Sequence, residues 1–243
     1  ALGACELSYV ELVAIDVPRA CAQHGDYRRV LAALGCRVLT LPAEPQLADS
    51  VFVEDVAIVL DDVAILTRPG AASRRDEVAS VGALLGGYRK LLAIEAPGTL
   101  DGGDVLLAGR TLYAGQSARS NADGIAQLRA LLAGRGYTVQ GVPTHGCLHL
   151  KSAVTQLSDD TLLLQPEWVD RQQFAEFRII EVDPAEPHAA NVLRIGGALV
   201  MPASFPRTRR RLLDAGFNVT AVDVSGSTQS GLSLSGATVT VLK

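Results

Sequence analysis

The chain has 243 residues, 48% of them hydrophobic, which is enough to bury one substantial core, so we expect a single domain over residues 1–243. A net charge of −4 and the lack of an apolar run of roughly 18 residues exclude nucleic acid and a membrane as predicted partners. The four cysteines form no C-x-x-C pair, and a chain of this length does not depend on disulfides. The sequence therefore predicts reduced thiols and a cytoplasmic location.

Two short β-rich runs, an amphipathic helix and one more β-rich run recur along the chain, and such repetition outweighs any single predicted element. Four complete units are visible. In chain order, their hairpin, helix and final strand are predicted over 51–67, 73–88 and 90–96; over 102–115, 121–137 and 138–143; over 149–165, 171–177 and 178–183; and over 191–203, 205–217 and 218–224. In the second helix Asn121 is the predicted N-cap, and Ile125, Leu128, Leu131 and Leu132 form the apolar face.

A fragment of the same pattern remains at each end of the chain. The N-terminal fragment has a predicted strand over 9–17, a helix over 18–35 and a strand over 36–41, and the C-terminal fragment is a β-rich run over 231–242. Joined, the two fragments make a fifth unit, in which the last strand of the chain pairs beside the first. This closure leaves no free sheet edge, so the sequence predicts a ring of five α/β units.

Three acidic residues lie in or beside an apolar run that is predicted to form a strand. Neighbouring strand positions face opposite sides, so Glu54 and Asp55 cannot both reach solvent, and Asp49 lies just upstream. A buried carboxylate needs a cation, and a guanidinium fits best because its planar N–H fork matches carboxylate geometry. Two partners stay open, a guanidino ligand or the protein's own arginines. The arginines in question are Arg68, Arg74 and Arg75.

A histidine, a cysteine and two aspartates are the other candidate reactive residues. His149 opens a predicted hairpin strand, where an imidazole is either a core side chain or an acid–base catalyst. Cys147 is either an inert buried side chain or a thiol that His149 activates. Asp101 and Asp104 flank a glycine pair that is typical of a tight turn, and Asp101 is the candidate for orienting a catalytic histidine.

A zinc site is a weaker interpretation of the same region. His145 and His149 have the four-residue spacing that puts two ligands on one face of a helix. Pro143 and Gly146 argue against a helix there, so we predict no metal.

Four stretches, taken together and in this order, carry a family resemblance. They are LPAEPQLADSVFVEDVAIV, TRPGAASRRDEV, TLDGGDVLLAGRTLYAGQSARSN and HLKSAV. From about residue 10 to about residue 225 the chain resembles the dimethylarginine dimethylaminohydrolases of the guanidino-group modifying, or pentein, superfamily. The resemblance implies a five-bladed α/β propeller, in agreement with the ring that the repeats predict.

The resemblance also implies an arginine-like small-molecule substrate and a role for each matching residue. The residue matching His149 is the general acid and base, and the acid matching Asp101 orients it. The acids bind the guanidinium and amine ends of the substrate, and the arginines hold its carboxylate. We expect a monomer or homodimer without a cofactor. The implied substrate-binding residues are Asp49, Glu54, Asp55, Arg74 and Arg119.

The chain departs from the family at the nucleophile. The family's cysteine lies near the C-terminus in a segment of the type G-x-x-T-C, whereas the matching segment here, GLSLSGATVTVLK, has no cysteine. Counting four residues from Gly231 puts Ser235 at the nucleophile position, and matching G-L-S to the family's G-L-T puts Leu234 there. A serine hydroxyl is almost wholly protonated at neutral pH, so the family reaction is expected to be nearly lost.

Three interpretations of this departure stay open. The chain is an engineered Cys-to-Ser form, a natural relative that uses His149 without a covalent intermediate, or a binder of arginine analogues that performs no chemistry. We favour an enzyme, because His149 and Asp101 persist beside the acids and a pure binder needs only the acids and arginines.

Overall fold

Residues 16–225 are described by the computed structural model, and they contain four three-stranded sheets with one shared connectivity. In each sheet the first two strands form an antiparallel hairpin, and the third strand runs parallel to the second. The four units predicted from the repeat are thereby confirmed. The strands are β1 (Ala57–Val59), β2 (Val63–Leu66) and β3 (Lys90–Ala93); β4 (Val105–Ala108), β5 (Thr111–Gln116) and β6 (Thr138–Pro143); β7 (Val154–Gln156), β8 (Thr161–Leu164) and β9 (Arg178–Glu181); and β10 (Leu193–Ile195), β11 (Ala198–Pro202) and β12 (Asn218–Val222).

Helices make the crossovers from the second strand to the third. The predicted N-cap of the second unit's helix is confirmed, because the side chain of Asn121 accepts the backbone N–H of Gly124 at 2.8 Å. Ile125, Leu128 and Leu132 of the predicted apolar face are buried. No helix within residues 16–225 is long and apolar enough to cross a membrane. The helices are α1 (Val17–Ala33), α2 (Val78–Leu85), α3 (Ala122–Leu131), α4 (Leu150–Ala153) and α5 (Pro206–Asp214), and the third crossover is the 3-10 turn Arg171–Phe174.

Consecutive sheets share their hydrophobic cores. Ile65 of the first sheet and Leu112 of the second belong to one buried cluster, together with Leu128 of α3. The second and third sheets meet in another cluster, and the third and fourth in a further one around Leu163 and Leu199. Because the middle strands are covered on both faces, they consist of continuous apolar runs, which is why the hairpins were recognisable in the sequence.

The fifth predicted unit is described only in part. The helix expected over 18–35 forms as α1, whose N-cap Asp16 accepts the N–H of Arg19 and whose Tyr27 packs against Val200 and Val222 of the fourth sheet. The strand expected over 36–41 is wrong, because this segment has no regular structure. The strand predicted over 9–17 is wrong at its end, because Asp16 is the N-cap of α1 and Val17 is its first residue. The rest of that strand and the run over 231–242 lie outside the described residues, so the closure of the ring is not described, and no closed sheet forms within residues 16–225.

Two further predictions of strand are wrong where helical turns precede a hairpin. Glu54 and Asp55 lie in the 3-10 turn Val53–Val56, not in the strand, which begins at Ala57. His149 is the N-cap of α4, and β7 begins only after that helix. In both segments the apolar run is too short for its periodicity to distinguish a strand from a helical turn.

Candidate functional site

Turns that precede the first strands of three sheets bring the candidate residues together. The turn Val53–Val56 leads into β1, the 3-10 turn Gly102–Asp104 leads into β4, and α4 leads into β7. Hydrogen bonds join these turns across 48 and 46 positions of sequence, from the N–H of Gly103 to Asp55 and from the N–H of Leu150 to Asp104. Equivalent points of successive repeats thus converge on one buried site.

The glycine pair between the two aspartates allows this convergence. A Cβ at Gly103 would lie 2.6 Å from Oδ1 of Asp55 and 2.9 Å from two ring carbons of His149, and a Cβ at Gly102 would overlap the carbonyl oxygen of Glu54. Neither glycine has a positive φ angle. The pair is needed for close approach of the turns and not for an unusual backbone conformation.

His149 lies between two buried carboxylates. Its Nε2 is 3.7 Å from Oδ1 of Asp55, and its Nδ1 is 3.4 Å from Oδ2 of Asp104, within ion-pair distance but without the alignment of a hydrogen bond. Burial alone would lower the pKa of His149, but the charges of Asp55, Asp104 and Asp101 outweigh it and raise the pKa from 6.5 to about 9. The imidazole is therefore protonated at neutral pH and can donate a proton.

Asp101, the predicted orienting residue, is fully buried beside this pair. Its Oδ1 accepts the N–H of Gly70 at 2.8 Å, and its backbone N–H donates to Oγ of Ser120 at 3.0 Å. Burial and the charge of Asp55 raise the pKa of Asp101 from 3.8 to about 6. Among the described residues the carboxylates nearest to His149 are those of Asp104 and Asp55, so the orienting role of Asp101 stays a prediction.

The same cluster is the only group within residues 16–225 with the spacing of a metal site. One oxygen of Asp55, one of Asp101 and one ring nitrogen of His149 lie within 4.8 Å of one another. A metal would bind here only by displacing the proton of His149, because a protonated imidazole has no free lone pair. The same residues suit an imidazolium paired with carboxylates without any such exchange.

The protein's own arginines account for part of the acid cluster. Arg74 is buried and forms ion pairs with Asp55 at 2.7 Å and with Glu77 at 2.8 Å. Burial would raise the pKa of Asp55, but His149, Arg74 and Lys151 lower it below its usual value. The other arginines named from the sequence bond elsewhere: Arg68 to the carbonyl oxygen of Gly98 and Arg75 to that of Pro69. The internal ion pair, one of the two partners left open by the sequence, is thus present for Asp55.

Glu54 has a different cation, which the sequence did not reveal. Oε1 of Glu54 lies 2.5 Å from Nζ of Lys151, and the two side chains are 15% exposed. The pair lines one side of a cavity of about 240 Å³ between the first strands of the four sheets. Lys151 lies two residues after His149, and that proximity is the signal that could have marked it.

Asp49 and Arg119 lie at two further edges of the cluster. Asp49 is buried, and its carbonyl oxygen accepts an N–H of Arg74 at 3.3 Å. Arg119 is buried in the turn after β5, where its backbone N–H donates to Oγ of Ser117. A side chain at Gly70 would overlap the backbone of Arg119, so this turn lies against the loop that also binds Asp101.

The alternative nucleophile and the alternative metal ligand are not favoured. Cys147 is buried in the apolar cluster around Tyr113, and burial together with the charge of Asp104 raises its pKa to about 12, so the thiol is not activated. His145 is exposed and belongs to no group of metal-ligand spacing within residues 16–225. The other predicted nucleophile positions, Leu234 and Ser235, lie outside the described residues.

The chain is similar to curated enzymes over most of its length. It is 38% identical over 212 residues to the N(G),N(G)-dimethylarginine dimethylaminohydrolase of Pseudomonas aeruginosa, covering 86% of this chain and 84% of the relative. It is 41% identical over 219 residues to the enzyme of the same name from Streptomyces coelicolor, covering 90% and 84%. No family model matches the chain.

Solved structures support the same comparison. A cysteine-to-serine mutant of the Pseudomonas aeruginosa enzyme complexed with citrulline superposes with a TM-score of 0.91 at 36% identity, covering 95% of this chain and 91% of the other. The N-terminal domain of a cyanobacterial arginine dihydrolase has a TM-score of 0.87 at 20% identity, covering 98% and 93%, a similarity of fold alone.

Proposed function

The chain belongs to the dimethylarginine dimethylaminohydrolase family, and we propose that it is a guanidino-group hydrolase that acts on an arginine-like small molecule. The observation that carries this proposal is the imidazolium of His149 held between the carboxylates of Asp55 and Asp104. A guanidino hydrolase needs anionic groups for the guanidinium and a proton donor for the departing amine, and this cluster supplies both.

The charges of the cluster suggest how the ligand binds. We assign the guanidinium to Glu54 and Asp55 and the ligand's amine to Asp49. Its carboxylate is assigned to Arg119 and Arg74. In Arg74, Nη2 donates to Oε2 of Glu77 at 2.8 Å and lies 3.3 Å from the carbonyl oxygens of Asp49 and Phe52, so a ligand carboxylate would replace these two longer contacts.

His149 would serve both halves of the reaction as the family performs it. A nucleophile attacks the guanidinium carbon, and the departing amine takes the proton of His149. The neutral imidazole then accepts a proton from water, whose attack releases the citrulline-like product and the nucleophile. Asp101 is assigned the orienting role that the resemblance implies, and the raised pKa of His149 supports the first step, because it keeps the proton on the imidazole at neutral pH.

The nucleophile is the part of the family reaction that this chain does not match. We propose that Ser235 or Leu234 replaces the family's cysteine, so that binding is retained and turnover is low. The cysteine-to-serine mutant complexed with citrulline supports the first half of this expectation, because that relative holds a ligand without its thiol.

The wider organisation follows the family as well. We propose one domain over residues 1–243, a five-bladed α/β propeller completed by a fifth unit from the two ends of the chain. Four sheets of shared connectivity support this arrangement. We also propose a monomer or homodimer in the cytoplasm, working without a cofactor or metal.

Calorimetry with citrulline, arginine and dimethylarginine tests the binding site. Wild type is expected to bind at least one of them, and Asp55→Asn is expected to weaken that binding at least tenfold, because it removes a buried charge that faces the guanidinium. Glu186→Gln is the matched control, since Glu186 is a buried carboxylate that binds the backbone N–H groups of Arg207 and Thr208 away from the site. No binding of any of the three ligands by folded protein would overturn the proposal.

Citrulline release from dimethylarginine tests the chemistry. Release that is lost in Ser235→Ala and kept in Cys147→Ala would identify a serine nucleophile. The opposite pattern would identify Cys147 and contradict the inert thiol inferred from its burial. Binding without citrulline release would leave non-covalent chemistry at His149 or a binding protein, which comparison of the products of wild type and His149→Ala separates.

A further inference from the structure

Asp104 is a buried carboxylate to which the family resemblance gives no role. It is 0% exposed, and both of its oxygens are engaged. Oδ1 accepts the backbone N–H of Leu150 at 2.9 Å, directly after His149, and Oδ2 is the oxygen 3.4 Å from Nδ1 of that imidazole. Gly115 of β5 leaves room for this contact, because a Cβ there would lie 3.0 Å from Oδ1 of Asp104.

The same carboxylate also holds the turn that carries Arg119. Oδ2 of Asp104 accepts the hydroxyl hydrogens of Ser117 at 2.7 Å and of Ser120 at 2.6 Å. Oγ of Ser117 in turn accepts the backbone N–H of Arg119 at 3.0 Å, and Oγ of Ser120 accepts the N–H of Asp101. One side chain thus connects the histidine, the arginine turn and the predicted orienting acid.

We propose that Asp104 is a positioning residue that fixes the imidazole of His149 relative to the turn carrying Arg119. The negative charge of Asp104, 3.4 Å from Nδ1, favours a proton on that nitrogen and attracts this edge of the ring, which leaves Nε2 on the side of Asp55. The two serine hydroxyls link this orientation to the arginine. The inference rests on the proposed function, because only an arginine-like ligand would contact His149 and Arg119 at the same time.

A consequence is that the network selects the length of the ligand. A ligand that contacts Arg119 with its carboxylate and His149 with its guanidino or ureido group must match the distance that Asp104 and the serines maintain. A mismatch of one methylene costs roughly 10- to 200-fold in discrimination when a site is rigid, and less when it can adjust. Loosening the link is therefore expected to reduce the preference for citrulline over homocitrulline.

The test compares Asp104→Asn with Glu186→Gln in the full chain. The charged groups facing His149 are Asp55 from the first turn and Asp101 and Asp104 from the second, with Arg74 and Lys151 acting on Asp55. Imidazole ¹⁵N NMR is expected to show that Asp104→Asn lowers the proton affinity of His149 at least tenfold and, once the ring is neutral at high pH, reduces the share of the Nδ1–H tautomer, while Glu186→Gln changes neither. An unchanged His149 titration in folded Asp104→Asn would overturn the proposal.

A second variant keeps the carboxylate and removes only the link. Ser117→Ala combined with Ser120→Ala deletes the two hydroxyl donors to Asp104 and is also informative if Asp104→Asn does not fold. It is expected to preserve citrulline binding within tenfold and to reduce the citrulline-to-homocitrulline affinity ratio at least fivefold. An unchanged ratio would refute the linkage. If wild type binds neither ligand, the proposed function fails, whereas the NMR comparison still decides whether Asp104 orients His149.

Discussion

At the scale of single residues, the site is governed by charge compensation in a buried space. The pKa of His149 rises because three carboxylates outweigh the cost of burying its charge, and the pKa of Asp55 falls because cations surround it. Asp101 is protonated more easily, because burial and the charge of Asp55 outweigh the charge of His149 and raise its pKa. At neutral pH the cluster therefore carries one exchangeable proton, on His149, and Asp101 takes up a second proton as the pH falls to about 6.

The pH dependence of stability follows from the raised pKa of His149. A group whose pKa is higher in the folded than in the unfolded state stabilises the fold when it is protonated. For His149 this contribution is complete below pH 6.5, the ordinary pKa of the unfolded chain, and is lost as the pH rises through about 9. The span corresponds to roughly 3 kcal/mol. We therefore expect wild type to lose about this much unfolding free energy relative to His149→Gln between pH 6 and pH 10, as measured by urea denaturation.

The control for this measurement is His145→Gln, which changes an exposed histidine four residues away. Its unfolding free energy should run parallel to that of wild type across the same pH range. A constant difference between wild type and His149→Gln would mean that the imidazole is not held charged by the carboxylates. Asp101 contributes at lower pH only, since its raised pKa adds stability below 3.8 that is lost through about 6.

At the scale of elements, the site depends on short helical turns that precede the hairpins. Three such segments precede β1, β4 and β7, and their side chains do not follow the two-residue alternation of the strand. They are the turn Val53–Val56, the turn Gly102–Asp104 and α4. A turn directs consecutive side chains around an axis, so Glu54 and Asp55 can each find a cation on the inner side, at Lys151 and Arg74.

Gly103→Ala tests this packing of turn against turn. The added Cβ would lie 2.6 Å from Asp55 Oδ1 and 2.9 Å from the His149 ring, so one of the two must move. Overpacking of this kind typically costs ~1–3 kcal/mol, and displacement of the cluster should also weaken citrulline binding at least tenfold. Thermal unfolding and calorimetry provide the two measurements.

Gly197→Ala is the matched control, because a Cβ at that position meets no atom of residues 16–225 within 4 Å. It should leave citrulline binding unchanged. If Gly103→Ala bound citrulline as wild type does, the close approach of the three turns would not be a requirement of the site.

The elements also show where prediction from the sequence succeeds and where it stops. The acids and His149 were recognisable because charged groups are costly inside apolar runs, and this signal is local. The partner of Glu54 is 97 positions away at Lys151, and the contacts of Asp104 reach 46 positions to Leu150. A single sequence contains no periodicity that pairs such residues, so the pairing of Lys151 with Glu54 and the contacts of Asp104 appear only in the folded chain.

At the scale of the whole molecule, four sheets of identical connectivity pack in sequence order. The repeat is predictable because each unit joins strands, whose apolar residues alternate with period 2, to a helix with a 3.6-residue period, and the units follow one another at similar spacing. The segment 36–41 was predicted as a strand for the same reason, yet a strand forms only with a paired edge. In the structure Cys36 and Val38 contribute their side chains to the cluster of Tyr27 and Leu31 and belong to none of the four sheets of residues 16–225.

The proposed closure by the two ends of the chain makes the last prediction. If residues 231–242 complete the fifth unit, deleting residues 231–243 exposes strand edges and removes residues 234 and 235 from the site. We expect a lower unfolding temperature, concentration-dependent self-association through the open edges, and loss of citrulline binding. Deleting residues 1–7, which precede the predicted strand over 9–17, is the control and should leave all three properties unchanged. Wild-type stability and a wild-type elution volume after the C-terminal deletion would show that this segment does not close the ring. Loss of citrulline binding with stability retained would instead place the segment at the site without a role in closure.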